Sequence, residues 1–287
     1  MAFLDAPRAV EGAGAVRVPG PRAAGAGNIV IPGSGIVRVP GPLAQGEGEA
    51  GAYVRPLSRW TFDDLDIGPG GVLVDVEGGG SDGTPAFSPW LTGQAGNAGE
   101  SWIPQNTGAG VSETVHGTVI GNLTEGDGKQ FTIVHVFNPG SLTGGRSMMR
   151  VGPSVSSVSW RMQLVARPEL NIMSPVNDTD QIRILMALDA PALTVGVWTF
   201  VALRYDGTQV QAVDRVTWNL NGSWYGARIA GTPPIPTDSD IPVKGGSLRM
   251  SGGGAAQRFD ETAFWPSLLT DDGVDALYSK FLAGDHF

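Results

Sequence analysis

The sequence predicts an all-β fold, an antiparallel β-sandwich with one short C-terminal helix. Apolar side chains alternate with other residues from Gly196 to Asp206, and Asp206-Gly207 then supplies a turn. This two-residue period is typical of a strand with one buried face. The segment from Phe131 to Phe137 alternates in the same way, and Asn221-Gly222 separates two apolar segments as a hairpin turn does. We therefore expect residues 196–206 to form a central strand.

The predicted helix runs from Thr270 to Phe281. Thr270 is a suitable N-cap, and Asp271-Asp272 places negative charge at the positive end of a helix. An alternating stretch from Phe259 leads into this segment through Pro266. The apolar residues of the segment recur at helical spacing; they are Val274, Leu277, Tyr278 and Phe281.

The composition favours many short strands joined by tight turns. The 287 residues include 43 Gly and 21 Pro, yet 41% are hydrophobic, which argues against a wholly disordered chain. The formal net charge of −9 argues against general nucleic-acid binding, because neutralising phosphates requires clustered Lys and Arg. The absence of cysteine excludes disulfides and thiolate zinc sites. No run approaches the roughly 20 apolar residues of a membrane span, so we expect no membrane partner.

Residues 1–58 differ in character from the rest and predict an extended N-terminal arm before a folded domain at 59–287. The segment 14–21 recurs almost unchanged as 35–42, and 29–33 is a third relative. Each unit is a short β-prone stretch that ends at Pro-Gly. None of them can bury a core alone, because Pro ends ladder pairing.

The arm has two interpretations. It is either a flexible linker or an arm that becomes ordered when its short strands pair with a partner's sheet or with sister subunits. The repetition of Val-Arg-Val and the presence of Ile-Val-Ile favour the second, since a simple linker does not need them. The predicted assembly residues are Val16, Arg17, Val18, Ile29, Ile31, Val37, Arg38 and Val39.

Five motifs follow one another along the chain. They are Trp-x-Phe-Asp at 60–63, Phe-Thr-Ile from 131, Gly-x-Trp-x-x-Val-Ala-Leu-x-Tyr-Asp-Gly at 196–207, Asn-Leu-Asn-Gly at 219–222, and Phe-Asp-Glu-x-x-x-Trp with a later Leu-Tyr at 259–278. In this order they resemble the laminin-G/concanavalin A-like lectin domain of the bacterial and phage type, over about residues 59–285. The resemblance implies a jelly-roll sandwich, a fold that hosts lectins, enzymes and inert modules alike.

Two tryptophans are candidates for sugar contact. Trp90 and Trp102 lie beside prolines in otherwise polar segments. An exposed indole can stack on a sugar face, because it is a flat apolar surface with a polar N–H. The alternative is that each ring fills the edge of the sandwich.

A calcium ion is the second ligand considered, because many lectin-like sandwiches hold one in a loop. Ca²⁺ takes six to eight oxygen ligands. The main candidates are Asn177, Asp178 and Asp180, with Asp64, Asp66, Asp238 and Asp240 as further acidic loop residues. None of these segments matches an EF-hand loop, and acidic loops are usually solvated. We therefore expect no cofactor, with Ca²⁺ at residues 177–180 as the alternative.

The sequence gives no support to an enzymatic function. Glycoside hydrolases of this fold resemble one another in a Glu-x-Asp-x-x-Glu strand that places carboxylates on one face, and that motif is absent. Asp260-Glu261 puts adjacent residues on opposite faces instead, and it matches the structural Phe-Asp-Glu of the lectin-like family. No Gly-x-Ser-x-Gly elbow occurs. His116 and His135 are expected to be structural, and His286 lies near the end of the sequence.

These observations favour a structural bacteriophage virion protein of the capsid-decoration, head-fibre or tail-fibre type, with the lectin-like sandwich displayed and the arm as anchor. The first residues lack the basic and apolar regions of a secretion signal. Expected partners are other virion proteins, sister subunits in a homotrimer, and cell-surface polysaccharide. The expected location is the virion, assembled in the bacterial host cytoplasm. The alternative is a soluble carbohydrate-binding lectin module whose arm is only a linker.

Overall fold

The computed structural model describes residues 27–30, 36–39, 54–63, 67–68, 72–78, 82–86, 90–104, 112–115, 130–142, 146–152, 160–164, 166–173, 181–230, 247–252 and 257–287. They belong to two compact units, Met1–Ala50 and Gly51–Phe287. The described residues contain one α-helix, α1 (Asp271–Ala283), and the following strands: β1 (Gly27–Val30), β2 (Ile36–Val39), β3 (Ser58–Trp60), β4 (Ile67–Gly68), β5 (Val72–Leu73), β6 (Thr84–Ala86), β7 (Trp90–Ala95), β8 (Glu100–Pro104), β9 (Ser112–Val115), β10 (Gln130–Asn138), β11 (Arg146–Gly152), β12 (Trp160–Leu164), β13 (Pro168–Met173), β14 (Gln181–Met186), β15 (Thr199–Asp206), β16 (Val216–Leu220), β17 (Ser223–Tyr225), β18 (Ala227–Ala230), β19 (Ser247–Gly252) and β20 (Arg258–Trp265). Within these residues no helix combines the length and the hydropathy needed to cross a membrane.

The second unit is an antiparallel sandwich of two large sheets. The first sheet has the strand order β17-β16-β15-β10-β20-β8-β7, with β3 also paired to β20. The second sheet has the order β18-β14-β13-β12-β11-β19-β9-β6. The predicted fold class, an antiparallel sandwich with one C-terminal helix, is confirmed.

The two sheets face each other across one apolar core. The first sheet contributes Leu203 and Trp218, and the second contributes Met162 and Ile184, all fully buried. Burying each side chain of this size stabilises the fold by about 1.5 to 3 kcal/mol. Aromatic rings also pair across neighbouring strands, as where Phe131 stacks on the Tyr205 ring with centroids 5.0 Å apart. The core therefore depends on the alternation that the sequence shows.

Strand β15 lies inside the first sheet, between β16 and β10, as predicted for the central strand. Its second face is also buried, because the Phe200 ring packs against Tyr278 and Phe281 of α1 with centroids 5.4 Å and 5.9 Å away. Burial is therefore continuous over the first five residues of β15, although the hydrophobic pattern alternates. The strand begins at Thr199 rather than Gly196, because Gly196 adopts a φ of +80° in the preceding turn.

Capping residues mark both ends of helix α1. The Thr270 side chain accepts a hydrogen bond from the Gly273 N–H, which confirms the predicted N-cap. At the other end Gly284 adopts the left-handed conformation, with φ of 74°, and its N–H bonds to the carbonyls of Lys280 and Phe281. Both ends of the helix are therefore capped.

The predicted hairpin turn is confirmed between β16 and β17. Asn221 and Gly222 have φ of 48° and 81°, the pair of positive values that a type I′ turn needs. The Asn219 side-chain oxygen accepts from the Gly222 N–H at 2.9 Å and holds the turn closed. A Cβ atom on Gly222 would lie 2.3 Å from the Tyr278 Cε1 atom of α1. The hairpin therefore packs tightly against the helix.

The first unit contains a two-stranded antiparallel ribbon. Strands β1 and β2 pair with Ile29 opposite Val37 and Gly27 opposite Val39. Two of the β-prone units recognised in the sequence are therefore paired with each other, and this pairing includes Arg38. The other predicted assembly residues, Val16, Arg17, Val18 and Ile31, lie outside the described residues. The anchoring role of the arm stays a prediction.

The sandwich begins before residue 59. The Leu57 N–H donates to the Phe264 carbonyl at 2.8 Å, and Ser58 pairs with Phe264 as the first residue of β3. The Trp265 indole N–H donates to the Val54 carbonyl. Residues 54–58 thus contact β20 of the second unit, ahead of the boundary predicted from composition.

A glycine substitution tests the contact between hairpin and helix. Gly222→Ala should lower the free energy of unfolding by about 1 to 3 kcal/mol, because alanine is strained at positive φ and its Cβ would meet Tyr278. Gly226→Ala is the matched control, since nothing lies within 4 Å of its Cβ position and its φ is not positive. Urea unfolding of both variants measures the difference, and equal stabilities would contradict the described packing.

Candidate functional site

A shallow pocket of about 290 Å³ opens where β15, β16 and β17 meet the start of α1. We call it the Arg204 pocket; its lining residues are Arg204, Thr217, Trp224, Tyr225, Gly226 and Asp271. Strand pairing brings most of them together. Arg204 lies opposite Thr217 in the register, and Asn219, two residues after Thr217, lies opposite Trp224. Because alternate residues share a face, Arg204, Thr217 and Trp224 lie on the same face of the sheet.

Two contacts fix the Arg204 guanidinium in the pocket. Its Nη1 atom donates to Asp271 Oδ1 at 2.6 Å. Its Cζ atom lies 3.9 Å from the centre of the Trp224 ring, a cation–π geometry. The Arg204 side chain is only 16% exposed, whereas that of Asp271 is 70% exposed. A solvent-accessible carboxylate and a largely buried cation therefore stand side by side.

Two of the lining residues carry buried hydrogen-bond donors without partners among the described residues. Among the described residues, nothing accepts from Arg204 Nε, Arg204 Nη2 or Trp224 Nε1, and all three atoms are buried. A buried donor that makes no hydrogen bond costs about 1 to 3 kcal/mol.

The chemistry of the lining residues suits non-covalent binding of a polar ligand. The pocket offers two aromatic rings, the Thr217 hydroxyl and the exposed Asp271 carboxylate. Aromatic rings provide apolar surface for a flat ligand face, and the polar groups orient it.

A second group of polar residues lies around the end of the chain. Arg59 donates from Nε to Glu77 Oε1 at 2.9 Å and from Nη1 to Glu261 Oε1 at 3.1 Å. The His286 Nε2 atom lies 2.9 Å from Asp63 Oδ2, and its Nδ1 atom lies 3.7 Å from Glu261 Oε2, which is an ion-pair separation. The Glu261 carboxylate, with Asp63, raises the pKa of His286. These groups are paired with one another within the fold.

Asp260 and Glu261 each hold a backbone segment. Asp260 Oδ2 accepts from the N–H of Asn97 and from that of Ala98, the latter at 2.8 Å. Glu261 accepts from the Phe287 N–H at 3.0 Å. Burial raises the pKa of Asp260 to about 7, against these hydrogen bonds. The contacts agree with the structural role predicted for this dipeptide.

The histidine expected to be structural is buried in the first sheet. The His135 Nδ1 atom is hydrogen-bonded to the Thr262 hydroxyl. Burial lowers the pKa of His135 to about 3, so the imidazole is neutral. His116 lies outside the described residues.

The sugar-contact prediction is wrong for Trp102. Its side chain is 1% exposed and packs edge-to-face against the Phe62 ring with centroids 5.6 Å apart. The ring is a core residue and offers no surface to a sugar, which agrees with the alternative that it fills the sandwich. Trp90 lies in β7, and its side chain is outside the described residues.

The predicted calcium ligands Asn177, Asp178 and Asp180 also lie outside the described residues. Among the residues that the structure describes, no three His, Asp or Glu side chains are grouped so that they could hold a metal ion.

Sequence reasoning missed Arg204, Trp224 and Asp271 as site residues. Arg204 appeared only as part of the central strand, and Asp271 only as a helix-end charge. The signal that could have found the pocket is the hairpin register. A two-residue turn at Asn221-Gly222 places Trp224 opposite Asn219, and therefore on the same face as Arg204.

Comparison with known proteins shows similarity in fold. No family model matches the sequence, and no curated protein matches it. Domain 4 of the extracellular arabinanase AbnA from Geobacillus stearothermophilus, solved with arabinotriose, is 16% identical with a TM-score of 0.51; the match covers 78% of this chain and 98% of that one. The botulinum neurotoxin serotype D binding domain is 10% identical with a TM-score of 0.52, and the match covers 78% of this chain.

A further structure of the serotype D ligand-binding domain, in complex with N-acetylneuraminic acid, is 8% identical with a TM-score of 0.50 over 78% of this chain. The matched part spans about half the length of these neurotoxin domains, 50% in both cases. The second unit therefore has a β-sandwich fold similar to that of these domains.

The raised pKa values predict how stability depends on pH. Asp260 and His286 both bind protons more tightly in the folded state than in the unfolded state. As the pH rises, the Asp260 contribution to stability is lost between the unfolded pKa of 3.8 and the folded pKa of about 7. The contribution of His286 is lost above pH 6.5. Burial lowers the pKa of His135, which has the opposite effect on stability up to pH 6.5, so the melting temperature should fall between about pH 6.5 and pH 8.

The variant that tests this dependence is Asp260→Asn, which keeps an acceptor oxygen for the amides of Asn97 and Ala98 but carries no charge. It should gain about 1 to 3 kcal/mol relative to the parent at pH 8, and this gain should shrink as the pH is lowered toward 4. Asp189→Asn, a change to an exposed carboxylate, serves as control and should leave the profile unchanged. Thermal unfolding at each pH gives both readouts. A profile as steep in Asp260→Asn as in the parent would count against the buried carboxyl.

Proposed function

We propose that the chain is a carbohydrate-binding protein and that its lectin-like sandwich binds a saccharide in the Arg204 pocket. The observation that carries the proposal is the pocket itself, in which two aromatic rings adjoin the exposed Thr217 hydroxyl and the exposed Asp271 carboxylate. Saccharides present an apolar C–H face together with hydroxyl groups that donate and accept hydrogen bonds. The pocket offers a matching group to each of these features.

The comparisons support the same ligand class. The arabinanase domain was solved in complex with arabinotriose, and the match covers 98% of that domain. The serotype D ligand-binding domain was solved with N-acetylneuraminic acid. Both are proteins of similar fold bound to saccharides, and we extend this to the present chain as part of the proposal. We propose no enzymatic activity for the pocket, because its lining residues form no nucleophile and base pair.

The location of the protein on a virion, with the arm as anchor, stays a prediction. The repeated β-prone units favour it, and the pairing of β1 with β2 agrees with strand formation by such units. Pairing with sister subunits in a homotrimer or with other virion proteins is part of the same prediction. A virion protein that binds host polysaccharide would satisfy both proposals together.

Pocket occlusion tests the proposed function. Gly226 is exposed and has open space around its Cβ position, so Gly226→Phe should place a ring into the pocket without disturbing the core. The full-length chain is applied to an immobilised panel of neutral and acidic oligosaccharides. We expect binding to at least one class, a loss of about tenfold or more in Gly226→Phe, and no loss in the Gly226→Ala control. If the parent binds nothing on the panel, the proposal is wrong; if Gly226→Phe binds as the parent does, the site lies elsewhere.

A further inference from the structure

We infer that the Arg204 pocket selects saccharides without anionic groups, and that Asp271 is the residue that determines this specificity. The Asp271 carboxylate accepts hydrogen bonds from hydroxyl groups of the sugar, and it repels a sugar that carries a carboxylate of its own. This inference rests on the proposed function, since it names the class of saccharide that the same pocket would take.

Asp271 carries the charge that is open to a ligand in the pocket. Its side chain is 70% exposed, whereas that of Arg204 is 16% exposed. These two are the charged residues among those that line the pocket. The Trp224 ring also lies against the guanidinium, with its centre 3.9 Å from the Arg204 Cζ atom. The exposed charge of the pocket is therefore negative, although the ion pair as a whole is neutral.

The pocket offers no cationic donor to an anionic ligand. Arg204 Nη1 already donates to Asp271 Oδ1 at 2.6 Å, and the Nε and Nη2 atoms of Arg204 are shut off from solvent. The exposed Thr217 supplies a hydroxyl, which is a weaker partner for a carboxylate than a cation is. A sugar carboxylate in the pocket would therefore lose water without gaining a charged partner, which is unfavourable.

The Asp271 carboxylate suits the hydroxyl groups of a neutral sugar. The bond from Arg204 Nη1 to Oδ1 fixes the orientation of the carboxylate, and no described residue donates to its Oδ2 atom. An ionised carboxylate has about four lone-pair sites, and hydrogen bonds to it are roughly twice as strong as those between neutral groups. Sugar hydroxyls are O–H donors, and they occur in adjacent pairs on the ring. Such a pair can bind to Asp271 while the apolar face of the ring lies on an aromatic side chain.

Neighbouring charges on the helix act in the same direction as Asp271. Asp272 lies in the same first turn of α1 and Asp275 lies one turn after Asp271, and both are exposed. The N-terminus of a helix carries a partial positive charge, but these carboxylates already lie beside it. The formal charge of the whole chain is −9. Because interactions between exposed charges are screened by salt, the rejection of an acidic sugar should weaken as the salt concentration is raised.

Pairs of trisaccharides that differ in charge test the inference with the full-length chain. The acidic members are tri-galacturonate, tri-glucuronate and tri-mannuronate, and each is compared with its carboxyl-reduced, neutral counterpart by isothermal titration calorimetry. We expect at least one neutral member to bind about tenfold or more tightly than its acidic partner, because only the acidic partner is repelled by Asp271. Raising the NaCl concentration should strengthen the binding of the acidic member and leave that of the neutral member unchanged.

Asp271→Asn removes the charge but keeps an oxygen that can accept from Arg204. It should weaken binding of the neutral member by about tenfold and strengthen binding of the acidic member, so that the preference is lost. The matched control is Asp272→Asn, which makes the same change in net charge in the same helix turn but is not among the lining residues. It should leave every affinity within about twofold of the parent value, because exposed charges at a distance are screened.

Equal affinities within all three pairs, or tighter binding of the acidic members, overturn the inference and leave the proposed function standing. A neutral preference that persists in Asp271→Asn also overturns it, and so does an equal loss of preference in Asp272→Asn, since net charge then sets the preference. Absence of binding by all the probes overturns the inference and removes the support for the proposed function as well. The comparison of the pairs on the parent chain at low and high salt decides the matter even if Asp271→Asn does not fold.

Discussion

The packing of helix α1 on the outer face of the first sheet is the contact on which the rest of the sandwich depends. The inner face of β15 is buried by the second sheet, and its outer face is buried by α1 through Phe200 and Phe281. A strand that is covered on both faces cannot shift its register without exposing apolar residues on one of them. The helix thus fixes β15, and through backbone pairing it also fixes β10 and β16.

The pocket is a consequence of where that helix begins. Arg204 occupies the same face of β15 as Phe200, and its guanidinium lies against the first turn of α1. Asp271, in that first turn, is therefore the helix residue that reaches it. Trp224 is brought in from the other side by the hairpin turn, which itself packs against the helix through Gly222. The neighbours of the Arg204 guanidinium therefore remove it from water but do not accept hydrogen bonds from all of its N–H groups.

The sequence was sufficient for those parts of the fold that follow from local chemistry. The central strand, the Asn221-Gly222 turn and the Thr270 cap each follow from residue types at fixed spacing, and the structure confirms all three. The site did not follow in the same way, because it depends on which residues meet across strands. Trp102 is the instructive case: its polar and proline-rich surroundings indicated a surface loop, whereas it pairs within the core against Phe62. Local composition describes the neighbours of a residue in sequence, while burial depends on its neighbours in space.

Buried polar atoms without partners occur both at Asp260 and at Arg204. The two side chains differ in whether binding a proton can remove the cost. Asp260 Oδ1 and Arg204 Nη2 both lack a hydrogen-bond partner among the described residues. A carboxyl group can remove its own cost by binding a proton, and the raised pKa of Asp260, about 7, shows that it does so near neutral pH. A guanidinium has no such route, because it stays protonated at any pH at which proteins fold. The cost at Arg204 therefore cannot be removed by a change of protonation, and the fold carries it at every pH at which the protein is folded.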